Sequence, residues 1–190
     1  MTDYIYSLSE INALCRKAAK GAGLSWGQAE EVGKAATCLA SYDINGLQYL
    51  YPLLKDDSTK AQKLMEQFAH LNDHAYKLAQ EPLTYHDVDY PIFLLPALVY
   101  MTSQLHTPLE LKSDDLVAYV DCNGVYLSEG FTEQKHAKEV SVRSNIQSHD
   151  LQHSTPTGIS VSASDWKGLF ALAEQYFAPA TEQSRQNAGE

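Results

Sequence analysis

The sequence predicts an α+β fold: an N-terminal helical hairpin and a long helix packed on a C-terminal antiparallel sheet, with a final helix. Three observations carry this expectation. Two helix-start signatures, Ser7 with Glu10 and Ser25 with Gln28, stand close together near the start of the chain. An apolar face at helical spacing runs from Ala61 to Ala79. Beyond His106 the apolar residues fall into short runs, two of them separated by Asn123-Gly124, a hairpin signal.

Taken in order, Ser7 starts a helix whose apolar positions Ile11, Leu14, Cys15, Ala18 and Ala22 repeat every three or four residues, and Gly21 and Gly23 are placed to end it. The second helix, Trp26 to about Ser41, carries Ala29, Gly33, Ala36 and Ala40 as a strip of small side chains, which lets another backbone approach closely. Ser7 to Ser41 is therefore expected to form a tight antiparallel hairpin. A short aromatic segment, Leu47 to Leu54, leads to Asp56-Asp57-Ser58, an acidic start for a long helix from Thr59 to Gln80. Its core face holds Ala61, Leu64, Met65, Phe68, Leu71, Ala75, Leu78 and Ala79.

Pro82 and Pro91 bracket a stretch, Thr84 to Tyr90, that reads as a polar loop, followed by Ile92 to Leu105, which reads as a buried helix bent at Pro96 ahead of the alternative of a strand. Strands are expected at Leu109 to Lys112, Leu116 to Cys122, Val125 to Glu129, Val140 to Ser144 and Gly158 to Ala163. With Asn123-Gly124 as the turn, Cys122 opposes Val125 and Val120 opposes Leu127. Leu116, Ala118, Val120, Cys122, Val125 and Leu127 then share a face that packs on the helices, under the Thr59 to Gln80 helix. Gly130 to Glu139 and Asn145 to Thr157 read as polar connections. Ser164 or Asp165 caps the last helix, with an apolar stripe of Trp166, Leu169, Phe170, Ala173, Tyr176 and Phe177.

At 190 residues the chain has the length of one domain, with a mainly helical lobe at 1–105, a β-rich lobe with the final helix at 106–178 and a tail at 179–190. A hydrophobic share of 44% supplies an ordinary core without staples or metal. Against 24 acidic residues stand 14 Lys and Arg, a net charge of −10 with no dense basic run. That balance argues against a nucleic-acid partner and against an anionic membrane surface. Cys15, Cys38 and Cys122 are odd in number and far apart, which suits free thiols in a reducing compartment. The start of the chain lacks the basic and apolar stretches of a signal peptide, and the run from Pro91 to Met101 is too short to span a bilayer. The expected location is the cytoplasm.

Several clusters of functional groups can be weighed on this framework. His70 and His74 have the i, i+4 spacing that offers two imidazoles to one metal, with His86 or Asp87 as a third ligand. The helical wheel, however, places both on the solvent face, and no glutamate follows the first as the zinc-protease motif requires. His149 and His153, with Asp150 and His136, repeat the spacing in a loop-like segment. Neither pair outweighs the reading as solvated surface, so no metal and no other cofactor is expected. No G-x-S-x-G is present, and Gly21-Ala22-Gly23 follows no strand, so it reads as a hairpin turn rather than a phosphate cradle. Asp87 and Asp89, with Tyr85, His86 and Tyr90, form the densest group of polar side chains. Tyr42, Tyr49 and Tyr51 are either rim-of-core residues or an interaction surface.

The stretch from Ser7 through Trp26 to Glu31 resembles the opening of the bacterial family known as domain of unknown function 3726. At the far end, Trp166, Leu169 and Tyr176 precede Ala178-Pro-Ala-Thr-Glu-Gln-Ser-Arg185, which is similar to that family's Pro-Ala-Thr/Ser-Glu-x-Ser-Arg segment. The resemblance implies an ordered role for Glu182, Ser184 and Arg185, whereas composition alone makes Pro179 to Glu190 a frayed terminus. In such an ordered element Arg185 would either pair with Glu182 or present its planar fork to a carboxylate or phosphate. A fainter likeness, over Gly23 to Tyr51, is to the malate/L-lactate dehydrogenase family that lacks a Rossmann fold. Where that family has Ser-His-Gly, this chain has Leu47-Gln48-Tyr49.

Two functional expectations follow. One is an accessory protein that binds a small molecule or a protein partner at a groove between helices and sheet, with homo-oligomerisation open. The other is an enzyme for a small acidic or polar metabolite, with Arg185 as anion anchor and His86 or Asp87 as acid/base.

Overall fold

Both capping boxes form as the sequence requires. Ser7 starts α1 (Leu8–Gly21) and Ser25 starts α2 (Trp26–Ser41), each serine accepting from the backbone three residues on while the Glu10 or Gln28 side chain returns to the cap. The structure, a computed structural model, describes residues 4–56, 58–144, 152–153 and 160–176. The small-residue strip of α2 does bring a backbone close: a Cβ at Gly33 would sit 3.1 Å from the Asn12 carbonyl oxygen of α1.

The aromatic segment is a helix, α3 (Leu47–Asp56), with Pro52 inside it and Leu47, Leu50, Leu53 and Leu54 buried. The next helix, α4 (Ser58–Asp73), stops seven residues short of the expected Gln80 and gives way to a 3-10 turn at Ala75–Ala79. Asn72 and Asp73 are weak helix formers, and the His74 ring nitrogen Nδ1 donates to the His70 carbonyl (2.9 Å), so the side chain joins the last backbone bond there. Ala61, Leu64, Met65, Phe68, Leu71 and Leu78 are buried as the wheel required, while Ala79 is exposed.

The stretch read as a polar loop is a strand, β2 (Leu83–Asp89). Its alternation is broken at Asp87, whose φ is +52°, so that Leu83, Tyr85 and then Val88 point inward. This reset hid the strand from a period-two reading. Pro91–Leu94 forms a 3-10 turn before α5 (Leu95–Leu105). Pro96 lies in the first turn of α5, where its missing N–H costs nothing, and so begins the helix instead of bending it.

The remaining strands of the main sheet are β3 (Leu109–Ser113), β4 (Leu116–Asp121), β5 (Gly124–Leu127), β6 (His136–Ser144) and β7 (Gln152–His153). Every pairing is antiparallel, in the order β2-β6-β3-β4-β5-β7. The segment from Gly130 to Glu139, expected as a connection, contributes its last four residues to β6 and buries Phe131. The β4–β5 turn differs from expectation by two residues, since Val120 pairs with Val125 and Asp121 with Gly124, leaving Cys122 and Asn123 as the tip. The Asp121 carboxylate fixes it by accepting from the Asn123 N–H (2.7 Å) and the Gly124 N–H (3.1 Å). A shift of two residues keeps side chains on the same face, so Ala118, Val120 and Val125 are buried as expected, but Cys122 is exposed.

The core lies between the sheet and the helices. α5 lies against β3 and β4, and α4 lies against β2, so the cover over the hairpin comes from α5 rather than from α4. Residues 160–161 form β8 (Ser160–Val161), which pairs not with the main sheet but with β1 (Tyr4–Ile5). α6 (Ala163–Tyr176) is capped by Ser162, whose hydroxyl accepts from the Asp165 N–H (3.2 Å). It turns Gly168, Leu169, Leu172 and Ala173 inward and leaves Phe170 and Tyr176 exposed, a rotation from the expected stripe. Phe177 lies outside the described residues. No helix among the described residues is long and apolar enough to cross a membrane.

Candidate functional site

α2, α4 and α5 do not close completely on one another. Each presents a side stripe next to its core stripe: Glu31, Lys34, Ala35 and Cys38 from α2; Phe68, Ala69, Asn72 and Asp73 from α4; Pro96, Val99, Tyr100 and Ser103 from α5. Between the stripes lies a groove of about 690 Å³ with a mainly apolar lining. A volume of that order is within the range of small-molecule sites.

The polar groups of the groove divide by whether they are already satisfied. Lys34 Nζ lies 2.8 Å from Glu31 Oε1, and this acidic neighbour holds the Lys34 pKa above its usual value. The Ser103 hydroxyl donates to the Tyr100 carbonyl at 2.6 Å. In contrast, the Asn72 amide oxygen is buried with no hydrogen-bond partner, a state that costs about 1–3 kcal/mol if left uncompensated. The Asp73 carboxylate is exposed, with no hydrogen bond or ion pair among the described residues. Burial pushes the Cys38 thiol up to about 11, so the thiolate needed for nucleophilic attack is scarce at neutral pH.

Two smaller concavities flank other elements. One, of about 440 Å³, lies where the α2–α3 turn meets the loop after β5 and is edged by Asp43, Glu129 and Glu133. The other, of about 230 Å³, is an apolar cleft between α1 and α6 beside Trp166 and Phe170. Of these three concavities the one with the greatest volume lies among helices, and the smaller polar cleft is where helix and sheet connections meet.

The residues singled out in the sequence are distributed elsewhere. His86 and Asp87 are exposed on β2, with His86 Nδ1 3.9 Å from Glu139 Oε2 and Asp87 Oδ1 4.0 Å from His136 Nε2. The other ring nitrogen of His136 lies 3.3 Å from Asp89 Oδ1, and Lys60 Nζ approaches the same oxygen at 3.6 Å. The pairing of Asp89 with His136 across the strands assembles this network, which the loop reading of β2 concealed. As a largely solvent-screened set of charges it is worth little individually. None of the three concavities includes His86 or Asp87.

His70 and His74 do stack, with ring centroids 4.0 Å apart, and His70 Nδ1 lies 3.0 Å from the Tyr85 hydroxyl. His86 and Asp87 do not join them, since their side chains face Glu139 and His136. Among the described residues no group of three or more His, Cys, Asp and Glu side chains is placed to hold a metal ion. His149 and Asp150 lie outside the described residues, as do Glu182, Ser184 and Arg185. Tyr49 is buried near Tyr90, and Tyr51 covers Gly168 while Lys55 Nζ lies 5.4 Å from its ring, so both belong to the rim of the core.

Reading the sequence for motifs missed Cys38, Asn72, Asp73 and Tyr100. Their signal is only a mixed stripe beside the core stripe of each helix, the same pattern that a closed helix boundary would give. Among protein families, the one described as protein of unknown function (DUF3726) matches residues 6–82. The match takes in α1 to α4, and so two walls of the groove, and leaves α5 and the tail segment around Arg185 beyond it. No curated protein and no solved structure matches the chain.

Proposed function

We propose that the protein binds a small, largely apolar molecule in the groove between α2, α4 and α5. The observation that supports this most directly is the groove of about 690 Å³ that three helices leave between them with a mainly apolar lining, a volume within the range of small-molecule sites. The reading favours binding over catalysis, since the one thiol in the groove is held protonated and the acid/base candidates His86 and Asp87 lie on the sheet.

Ala69 is exposed in the wall of the groove, so Ala69→Trp fills the space with little disturbance to the core. A neutral naphthylamine dye is expected to bind the natural chain in a saturable way with enhanced fluorescence, and to lose at least about ten-fold in affinity in Ala69→Trp, roughly 1.4 kcal/mol. Unchanged dye affinity in a variant that melts at the natural temperature would remove the groove as the site.

A further inference from the structure

We infer that the polar cleft between the α2–α3 turn and the loop after β5 is a second binding site, separate from the helical groove, and that it takes an extended organic cation with protonated amines, a polyamine in chemical class.

Tyr49 carries the inference. It lies in the first turn of α3, lines the cleft and is nine-tenths buried, at 9% exposure, with its ring 5.9 Å from that of Tyr90. A phenol buried to this extent ordinarily finds a hydrogen-bond partner inside the protein. The Tyr49 hydroxyl has none among the described residues. Nor is it sealed off, since it does not belong to the buried polar atoms that lack both a partner and contact with solvent. The space it opens to is the cleft. Burial, then Glu133 and Tyr90, hold the Tyr49 pKa above its usual value, so the phenol keeps its proton and the Glu133 carboxylate is within electrostatic reach of it.

The charge around this hydroxyl has one sign. Asp43, Glu129 and Glu133 edge the cleft, and among the described residues no lysine, arginine or histidine lines it. The Glu129 and Glu133 carboxylates make no hydrogen bond or ion pair among the described residues. An anionic ligand would meet no counter-charge here, and a neutral one would leave these carboxylates unanswered. The three acidic groups are not placed to share a metal ion, so they suit charges spaced along a molecule better than a single ion. An ammonium group donates up to three hydrogen bonds, which allows it to serve the Tyr49 oxygen and a carboxylate together. Ile44 and Leu127 offer apolar contact to the alkyl segments between amines, and the volume of about 440 Å³ exceeds what one ammonium group fills.

The test is equilibrium dialysis of spermidine against the full chain at about 0.15 M salt, where distant charges are screened, beside 1,8-octanediol and Ca²⁺ alone. Spermidine is expected to bind in a saturable way, and more tightly than either comparison. Tyr49→Phe, which keeps the ring and changes no charge, is expected to weaken spermidine about ten-fold. Glu133→Gln is expected to weaken it up to about five-fold, as for a partly exposed ion pair. Glu66→Gln removes the same charge from the exposed side of α4 and is expected to change nothing. Binding that survives Tyr49→Phe unchanged, or that weakens as much in Glu66→Gln as in Glu133→Gln, would be general attraction to a chain of net charge −10 and would overturn the site. Ca²⁺ bound more tightly than spermidine and lost in the same two variants would make the cleft a metal site, and octanediol bound as tightly as spermidine would make it a site for neutral molecules. Either result, or the absence of saturable spermidine binding, would overturn the polyamine assignment.

Discussion

His70 illustrates how one side chain ties α4 to the sheet and makes the fold sensitive to acid. Its Nδ1 meets the hydroxyl of Tyr85 on β2 at 3.0 Å, and the Tyr85 phenol is itself pushed up to about 12 by burial, so it remains a neutral partner. The His70 pKa is lowered from 6.5 by burial first, then by His74 and Lys77, with only Asp73 opposing. A lowered folded-state value means that the unfolded chain takes up the proton first as pH falls. The contribution of His70 is therefore fully present above the unfolded value near 6.5 and is lost as pH falls through the folded one. Denaturant midpoints from about pH 7.5 to about pH 5.5 are expected to fall more steeply for the natural chain than for His70→Gln, which keeps a partner for Tyr85. Parallel slopes would show that this histidine does not couple protonation to folding.

Between elements, the decisive groups are those that are missing. A Cβ at Gly21 would coincide with the Leu172 carbonyl oxygen, so α1 and α6 cross with backbone against backbone. Gly27, in the first turn of α2, has nothing within 4 Å of the same construction. Alanine is favoured over glycine in a helix by about 1 kcal/mol, so the two sites should respond with opposite sign. Gly27→Ala is expected to raise the unfolding free energy by about 0.5 kcal/mol. Gly21→Ala is expected to lower it by about 2 kcal/mol, because a main-chain clash cannot be relieved by turning a side chain. Denaturant unfolding of both variants decides the matter, and a Gly21→Ala protein as stable as the natural one would mean that the α1–α6 crossing yields to an added methyl group.

The same scale shows what the amino acids disclose. The caps of α1 and α2 rest on side chains three residues apart, and such local chemistry can be read directly from Ser7, Glu10, Ser25 and Gln28. The face of the β4–β5 hairpin was legible because alternation fixes parity, but its register depended on the Asp121 carboxylate, whose hold on the turn competes with the Asn123-Gly124 signal. β2 was not legible, since Asp87 in a left-handed conformation resets the alternation and only the partner strand β6 makes sense of it. The groove was still less so. It exists through what α2, α4 and α5 fail to place between them, and no spacing within one helix encodes that.

At the scale of the molecule, the segment that matches a family, residues 6–82, is not the segment that completes a core. α1 packs against α6, with Gly21 beneath Leu172; α2 packs against α5; and α4 packs against β2. All three partners come after residue 82 in the chain. Cutting there would strip these partners from α1, α2 and α4, and is expected to expose buried residues such as Ile11, Leu64, Phe68 and Leu71. Burying a side chain of that kind contributes about 1.5–3 kcal/mol, so re-exposing four of them costs about 6–12 kcal/mol, comparable with the 5–15 kcal/mol by which domains are ordinarily stable. A chain limited to residues 1–82 is therefore expected to keep fluctuating helices while losing cooperative unfolding and amide protection in α1 and α4. Circular dichroism melts and hydrogen exchange on that fragment beside the full chain are the measurement. A sharp, cooperative melt of the fragment would make the helical segment a self-sufficient domain, and the sheet would then be an addition to it rather than the other half of its core.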